Sequence, residues 1–156
     1  MVQRRKRMRL GFYLDTNGGT PRNTEIYKFL NSNVDKLEDA AVFFENVDFN
    51  PTPVKFGMFD SADLWSFKGN LVCTSINSLR SAVDVKNDVR VAYLFDRSQV
   101  NERSMIDLMR LGSSNIKVLV TNLADKLEFK RITGCEAIDL DGLQIETLKG
   151  VFNEKL

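Results

Sequence analysis

The chain has no histidine, only two cysteines and one tryptophan, and no hydrophobic run long enough to cross a bilayer. Without histidine there is no His-dependent triad and no Cys/His zinc site, so proton transfer falls to a carboxylate, Tyr, Lys, Cys or a bound substrate. Cys73 and Cys135 lack CxxC spacing and read as buried thiols. The sequence implies no metal and no cofactor. The longest apolar stretches, such as Val91 to Phe95, are strand-sized, and no signal-peptide core follows the basic start, so the cytoplasm is the default expectation. With 43% hydrophobic and 28% charged content, 156 residues fit one globular domain with one core, not a disordered chain.

Net charge is scarce as well, at +1, yet five of the first nine residues are basic: Arg4, Arg5, Lys6, Arg7 and Arg9. Without them the chain carries about −4. Residues 1–8 therefore read as a solvated basic arm, or as sequence ahead of an alternative start at Met8, and residues 9–156 as a single domain. That body is too acidic for a broad nucleic-acid surface, so contact with nucleic acid or a membrane surface would rest on the arm alone.

What is present alternates regularly. Short apolar stretches rich in Val, Ile and aromatics predict strands at Arg9–Leu14, Ala40–Asn46, Leu71–Ser75, Val89–Phe95, Ile116–Thr121 and Glu136–Leu140. Between them, helices are expected over Asn23–Val34, Asn77–Lys86, Val100–Leu111, Ala124–Thr133 and Leu143–Glu154. Ile26, Phe29, Leu30, Val34 and Leu37 recur at helical spacing, as do Ile145, Leu148 and Phe152. Strands apolar on both faces and separated by helices predict a three-layer α/β/α, Rossmann-like domain with a mostly parallel sheet of about six strands. In such sheets ligands bind at the carboxyl ends of the strands, where the strand order reverses.

The most informative segment leaves the carboxyl end of the first strand: Asp15-Thr16-Asn17-Gly18-Gly19-Thr20-Pro21-Arg22, running into a helix. Adjacent glycines permit close backbone approach and positive φ, and a helix opening beside them offers free N–H groups to an anion or a hydroxyl-rich ligand. The loop matches neither GxGxxG nor the GxxxxGK[ST] phosphate loop. Candidate ligand-binding residues are Asn17, Gly18, Gly19, Thr20 and Arg22, with Thr74, Ser75 and Asn122 at other strand ends. Asp15 and Asp96 are the candidates for catalysis. Several have a structural alternative: a tight turn for the glycines, an ion pair for Arg22, capping for Asp15, Thr74 and Ser75, and an ordinary exposed carboxylate after a strand for Asp96. Thr24 or Asn23 is expected to cap the first helix.

The stretch Asp48 to Gly69 is irregular, carrying Pro51, Pro53, Gly57 and Gly69 among Phe49, Phe56, Phe59, Trp65 and Phe67. It reads as a packed loop or as a partner surface centred on Phe56, Phe59 and Trp65. Trp65 either fills the core, the favoured alternative, or stacks on a sugar ring.

The order of these pieces resembles the N-terminal, acceptor-side Rossmann-like half of GT-B glycosyltransferases. The resemblance is carried by Leu10–Leu14, Asn17–Gly19 and Arg22–Tyr27 at the start, and by Asp63-Leu64-Trp65 through Asn77–Lys86 to Val89–Phe95 in the middle. At the end it is carried by Val118–Asn122, Ala124–Lys130, Arg131–Gly134, Ala137–Leu140 and Asp141-Gly142. It implies hexosyl transfer from a nucleotide sugar to a sugar acceptor. The donor-binding C-terminal half, with its Glu-x7-Glu signature, is not matched; Glu128 with Glu136 and Glu146 with Glu154 have that spacing outside its setting. Transfer would then need a separate donor-binding chain or a homo-oligomer. The alternative is a non-catalytic binding or assembly module reusing the fold, and a third, less favoured one is a flavodoxin-like or nucleotide-binding domain.

Overall fold

Leu10, Phe12 and Leu14 point to one face of strand β1 (Met8–Thr16) and Tyr13 to the other; all four are buried, as a strand at the centre of a parallel sheet requires. In the computed structural model, which describes residues 7–84 and 89–153, the sheet has seven strands, all parallel, in the order β3-β2-β1-β4-β5-β6-β7. The others are β2 (Leu37–Asn46), β3 (Gly57–Asp60), β4 (Gly69–Cys73), β5 (Val89–Leu94), β6 (Lys117–Val120) and β7 (Ile138–Asp139). The helices are α1 (Pro21–Asn33), α2 (Ile76–Val83), α3 (Glu102–Gly112), α4 (Leu123–Thr133) and α5 (Ile145–Asn153). This is the three-layer α/β/α architecture expected from the sequence.

Strand order runs outward in both directions from β1 and β4, so crossovers of one hand place α1 on one face of the sheet and α2, α3 and α4 on the other. The first face packs Ile26, Tyr27, Phe29 and Leu30 of α1 and Leu148, Val151 and Phe152 of α5 against Leu10, Phe12, Val72 and Leu119. The second packs Leu79, Leu108, Leu111 and Phe129 against Phe43, Leu71, Cys73, Tyr93 and Val120. Each Leu, Ile, Val or Phe side chain among them taken from water contributes about 1.5–3 kcal/mol.

Several boundaries differ from the sequence expectation. Thr20, not Thr24 or Asn23, caps α1: its Oγ1 accepts the Asn23 amide at 3.1 Å, and Pro21 follows at the first helical position, where its missing N–H costs nothing. Leu37 opens β2 instead of closing the helical stripe. Cys73 is buried but Cys135 only half-buried. Most of the basic arm and the ends of the helices expected at Asn77–Lys86 and Leu143–Glu154 lie outside the described residues.

The largest difference is the stretch Asp48 to Gly69, which is not wholly irregular: it contains the edge strand β3 and a 3-10 helix at Ser61–Ser66. No helix links β2 to β3. Side chains fix the connection instead, with Asn31 Nδ2 donating to the Pro53 carbonyl and Asn31 Oδ1 accepting the Lys55 amide, both at 2.8 Å. Phe56 lies half-buried on the α1 face, its ring 6.1 Å from that of Tyr27. Trp65 is 56% exposed and not in the core.

Candidate functional site

The strand order reverses between β1 and β4, and the carboxyl tips of these strands with that of β5 frame a cleft of about 520 Å³. Asp15, Thr16, Thr20, Arg22, Thr74, Ser75, Asp96, Ser98 and Gln99 line it. A neighbouring recess of about 380 Å³ shares Arg22, Asp96 and Ser98 and adds Asn122 and Asp125. Six sequence candidates thus meet in one cleft, and Asn122 lies beside it.

Asn17, Gly18 and Gly19 do not line it. They turn toward the segment after β2; Gly18 is buried, Asn17 half-buried and Gly19 exposed. The Gly18 amide donates to Thr16 Oγ1 at 3.1 Å and the Gly19 amide to the Phe49 carbonyl at 3.0 Å, while Asn17 Oδ1 accepts the Asp48 amide at 2.6 Å. The Gly18 carbonyl accepts from Asn23 Nδ2 and from the Tyr27 hydroxyl, each at 3.2 Å. Burial pushes the Tyr27 hydroxyl pKa up to about 12. Neither glycine has a positive φ. What they supply is space: a Cβ on Gly19 would stand 2.7 Å from Pro51 Cδ, and one on Gly18 3.1 Å from Asp48 Cβ. Both amides expected to seat an anion are bonded within the chain.

Arg22 crosses the mouth of β4 and β5. Its guanidinium donates to Asp96 Oδ2 at 2.6 Å, to the Thr74 carbonyl at 3.3 Å and to the Leu94 carbonyl. Burial lowers its pKa, against the opposing pull of the Asp96 charge. Asp96 is fully engaged, since its other oxygen accepts the Ser98 amide and hydroxyl. Asp15, exposed at the tip of β1, accepts the Ser75 hydroxyl at 2.6 Å and so links the two strands flanking the reversal. Thr74 is buried, its hydroxyl donating to the Tyr13 carbonyl at 3.2 Å.

The helices that begin at this rim are all capped by their own chain. Thr20, Ser75, Asn101 and Asn122 each accept the amide three residues on in α1, α2, α3 and α4 respectively. This removes one of the orphan donors that make a helix start attractive to anions. Sequence reasoning missed Gln99, whose Oε1 accepts from the Tyr93 hydroxyl while its buried Nε2 has no partner among the described residues. It also missed Asp125, buried under Asn122 and paired with Arg97 at 3.0 Å. Their only local signal was the polar run after each strand.

The cleft is therefore rich in hydroxyls and carboxylates, and its one cation, Arg22, is already neutralised by Asp96. Such a surface suits a neutral, hydroxyl-rich ligand better than a polyphosphate. Among the described residues no three Cys, Asp or Glu side chains gather to hold a metal, and no helix is long and apolar enough to cross a membrane.

Order of strands, two helical layers and a crevice at the reversal define a Rossmann-like α/β/α domain. No family model matches the chain, and neither the curated proteins nor the solved structures give a significant match to it.

Proposed function

We propose that the chain is a glycosyltransferase-like half-domain of the GT-B type, whose rim takes a sugar acceptor and whose transfer chemistry requires a complementary donor-binding surface. The observation that supports this reading is the cleft over the strand reversal, lined by the Asp15 carboxylate and by the Ser75 and Ser98 hydroxyls, which donate to Asp15 and Asp96, while Arg22, the arginine lining it, is ion-paired. The cleft is open to solvent, and excluding water from a transfer reaction needs a second wall. Ligand-observed NMR with a panel of neutral saccharides, against nucleoside diphosphates and their sugar conjugates, tests the binding step. Saturation transfer to saccharides, abolished by Asp15→Asn with Ser75→Ala, is the expected result. Incubation with nucleotide sugars, with and without proteins encoded nearby, tests transfer. Preferential binding of nucleoside diphosphates to the isolated chain, or no saccharide signal at millimolar concentration, overturns the reading.

A second reading, a non-catalytic assembly module, is favoured by a separate observation: Phe59 on β3 and Trp65 in the 3-10 helix that follows it are 42% and 56% exposed. Exposed aromatics on adjoining elements of a folded domain suit an interaction surface. Self-association or partner capture weakened by Phe59→Ser with Trp65→Ser, in a variant that keeps its thermal midpoint, is its signature. A monodisperse monomer at high concentration that copurifies with nothing counts against it.

A further inference from the structure

The β3 edge carries a recess of about 320 Å³ on the face away from α1, lined by Asp39, Ala41 and Phe43 of β2, Phe59 of β3, and Asp63, Ser66 and Phe67. Asp39, Ala41 and Phe43 alternate along β2, so their side chains share one face. Phe43 lies across the strand pair from Phe59 and its ring is 5.8 Å from it; Phe67 closes the other side at 5.2 Å. Phe43 and Phe67 are buried and so fixed, whereas Phe59 is part-exposed at the mouth. Gly57 is what lets Phe59 lie back, because a Cβ there would fall 2.5 Å from its ring.

Two features give this recess a charge preference. Aromatic faces attract cations through their quadrupole, more so where water is partly excluded. Both polar groups with a formal charge at its margin are exposed carboxylates, Asp39 and Asp63, which form no ion pair among the described residues, and no Lys or Arg lines it. Beside the recess, β3 pairs among the described residues only with β2, and its outer backbone edge offers a place for a further strand.

We propose that this corner binds an extended basic segment of a partner protein, which pairs with β3 as an added strand and places one Arg or Lys side chain among Phe43, Phe59 and Phe67, against Asp39 and Asp63. The mode is strand addition, with backbone bonds supplying affinity and the recess supplying specificity. It rests on the assembly reading above and names its partner's chemistry.

The test uses three synthetic peptides of alternating Thr and Val that differ only at the central residue, Arg, Gln or Glu, titrated into the 15N-labelled full chain. The Arg peptide is expected to shift amides of residues 39–43 and 57–67, to bind at least tenfold tighter than the Gln peptide, and to weaken as salt is raised. Asp39→Asn with Asp63→Asn, both exposed and so harmless to folding, should erase that preference without changing the thermal midpoint. Equal binding of the Arg and Gln peptides, or no shift in this region at millimolar peptide, overturns the proposal. Sedimentation of the same variant separates the two levels: an assembly that persists unchanged in it leaves the assembly reading standing while the basic-segment proposal falls.

Discussion

The tip of β1 and the tips of β4 and β5 lie side by side at the same rim, and they are finished in opposite ways. At β1 the glycine pair admits another part of the chain, residues 48–51: the Phe49 carbonyl accepts the Gly19 amide, the Asp48 amide donates to Asn17, and the Asp48 and Pro51 side chains fill the space beside the glycines. At β4 and β5 a single long side chain, Arg22, ties two carbonyls and one carboxylate, and the space in front stays open. Glycine beside a helix start is thus no sufficient sign of a ligand seat. The same absence of Cβ that lets a phosphate approach lets a proline approach.

Breaking the open tip should cost most. Arg22→Met leaves Asp96 and two carbonyls without their shared donor, and a loss of roughly 3 kcal/mol in urea unfolding is expected, in line with removal of one partner from a largely desolvated pair. Adding Asp96→Asn should recover part of it; a single-variant loss below about 1 kcal/mol would mean that the guanidinium does not organise this rim. The closed tip should be next. Gly19→Val collides with Pro51 and should cost about 1–3 kcal/mol, with Pro51→Ala relieving some of the loss. Full additivity of the two substitutions would show that the glycine pair is not held against the segment after β2.

The Tyr27 bond to the Gly18 carbonyl gives the closed tip a pH signature. Its folded pKa of about 12 lies above the ordinary value of 10.0, so between these pH values the folded chain keeps a proton that the unfolded chain releases. Its contribution is full below pH 10 and is lost as pH rises through 12. The stability difference between the wild type and Tyr27→Phe should therefore shrink over that window, read from urea midpoints at pH 8, 10 and 11; a constant difference would place the hydroxyl in a more solvated setting. The smallest effect is expected at a glycine that touches neither tip. Gly150 sits exposed within α5, and a Cβ there meets nothing within 4 Å, so Gly150→Ala should stabilise by roughly 0.5–1 kcal/mol.

Much of the scaffold was legible because its signals are local. The two-sided apolar strands, the helical spacing of Ile26, Phe29 and Leu30, and the turns at Gly134 and Asp141-Gly142, which adopt positive φ, depend on residues near one another in the chain. β3 was not legible: Gly57 to Asp60 is four residues long, follows two prolines, and is a strand because it pairs with β2. Of the candidate site, Asp15, Thr20, Arg22, Thr74, Ser75 and Asp96 could be assigned to strand ends and hence to a common rim. That Asp15 bonds Ser75, sixty residues on, could not.

By itself, then, the sequence determined the alternation of strands and helices, their number to within one strand, and which ends would carry polar groups, because periodicity and capping act within a few residues. Only the tertiary structure decided that the glycine loop is closed by residues 48–51, that Arg22 is matched by Asp96, and that Trp65 and Phe59 face outward while Phe56 turns in. Each of those outcomes depends on side chains from distant segments competing for the same hydrogen bonds and the same volume, and that competition exists only once the sheet has brought them together.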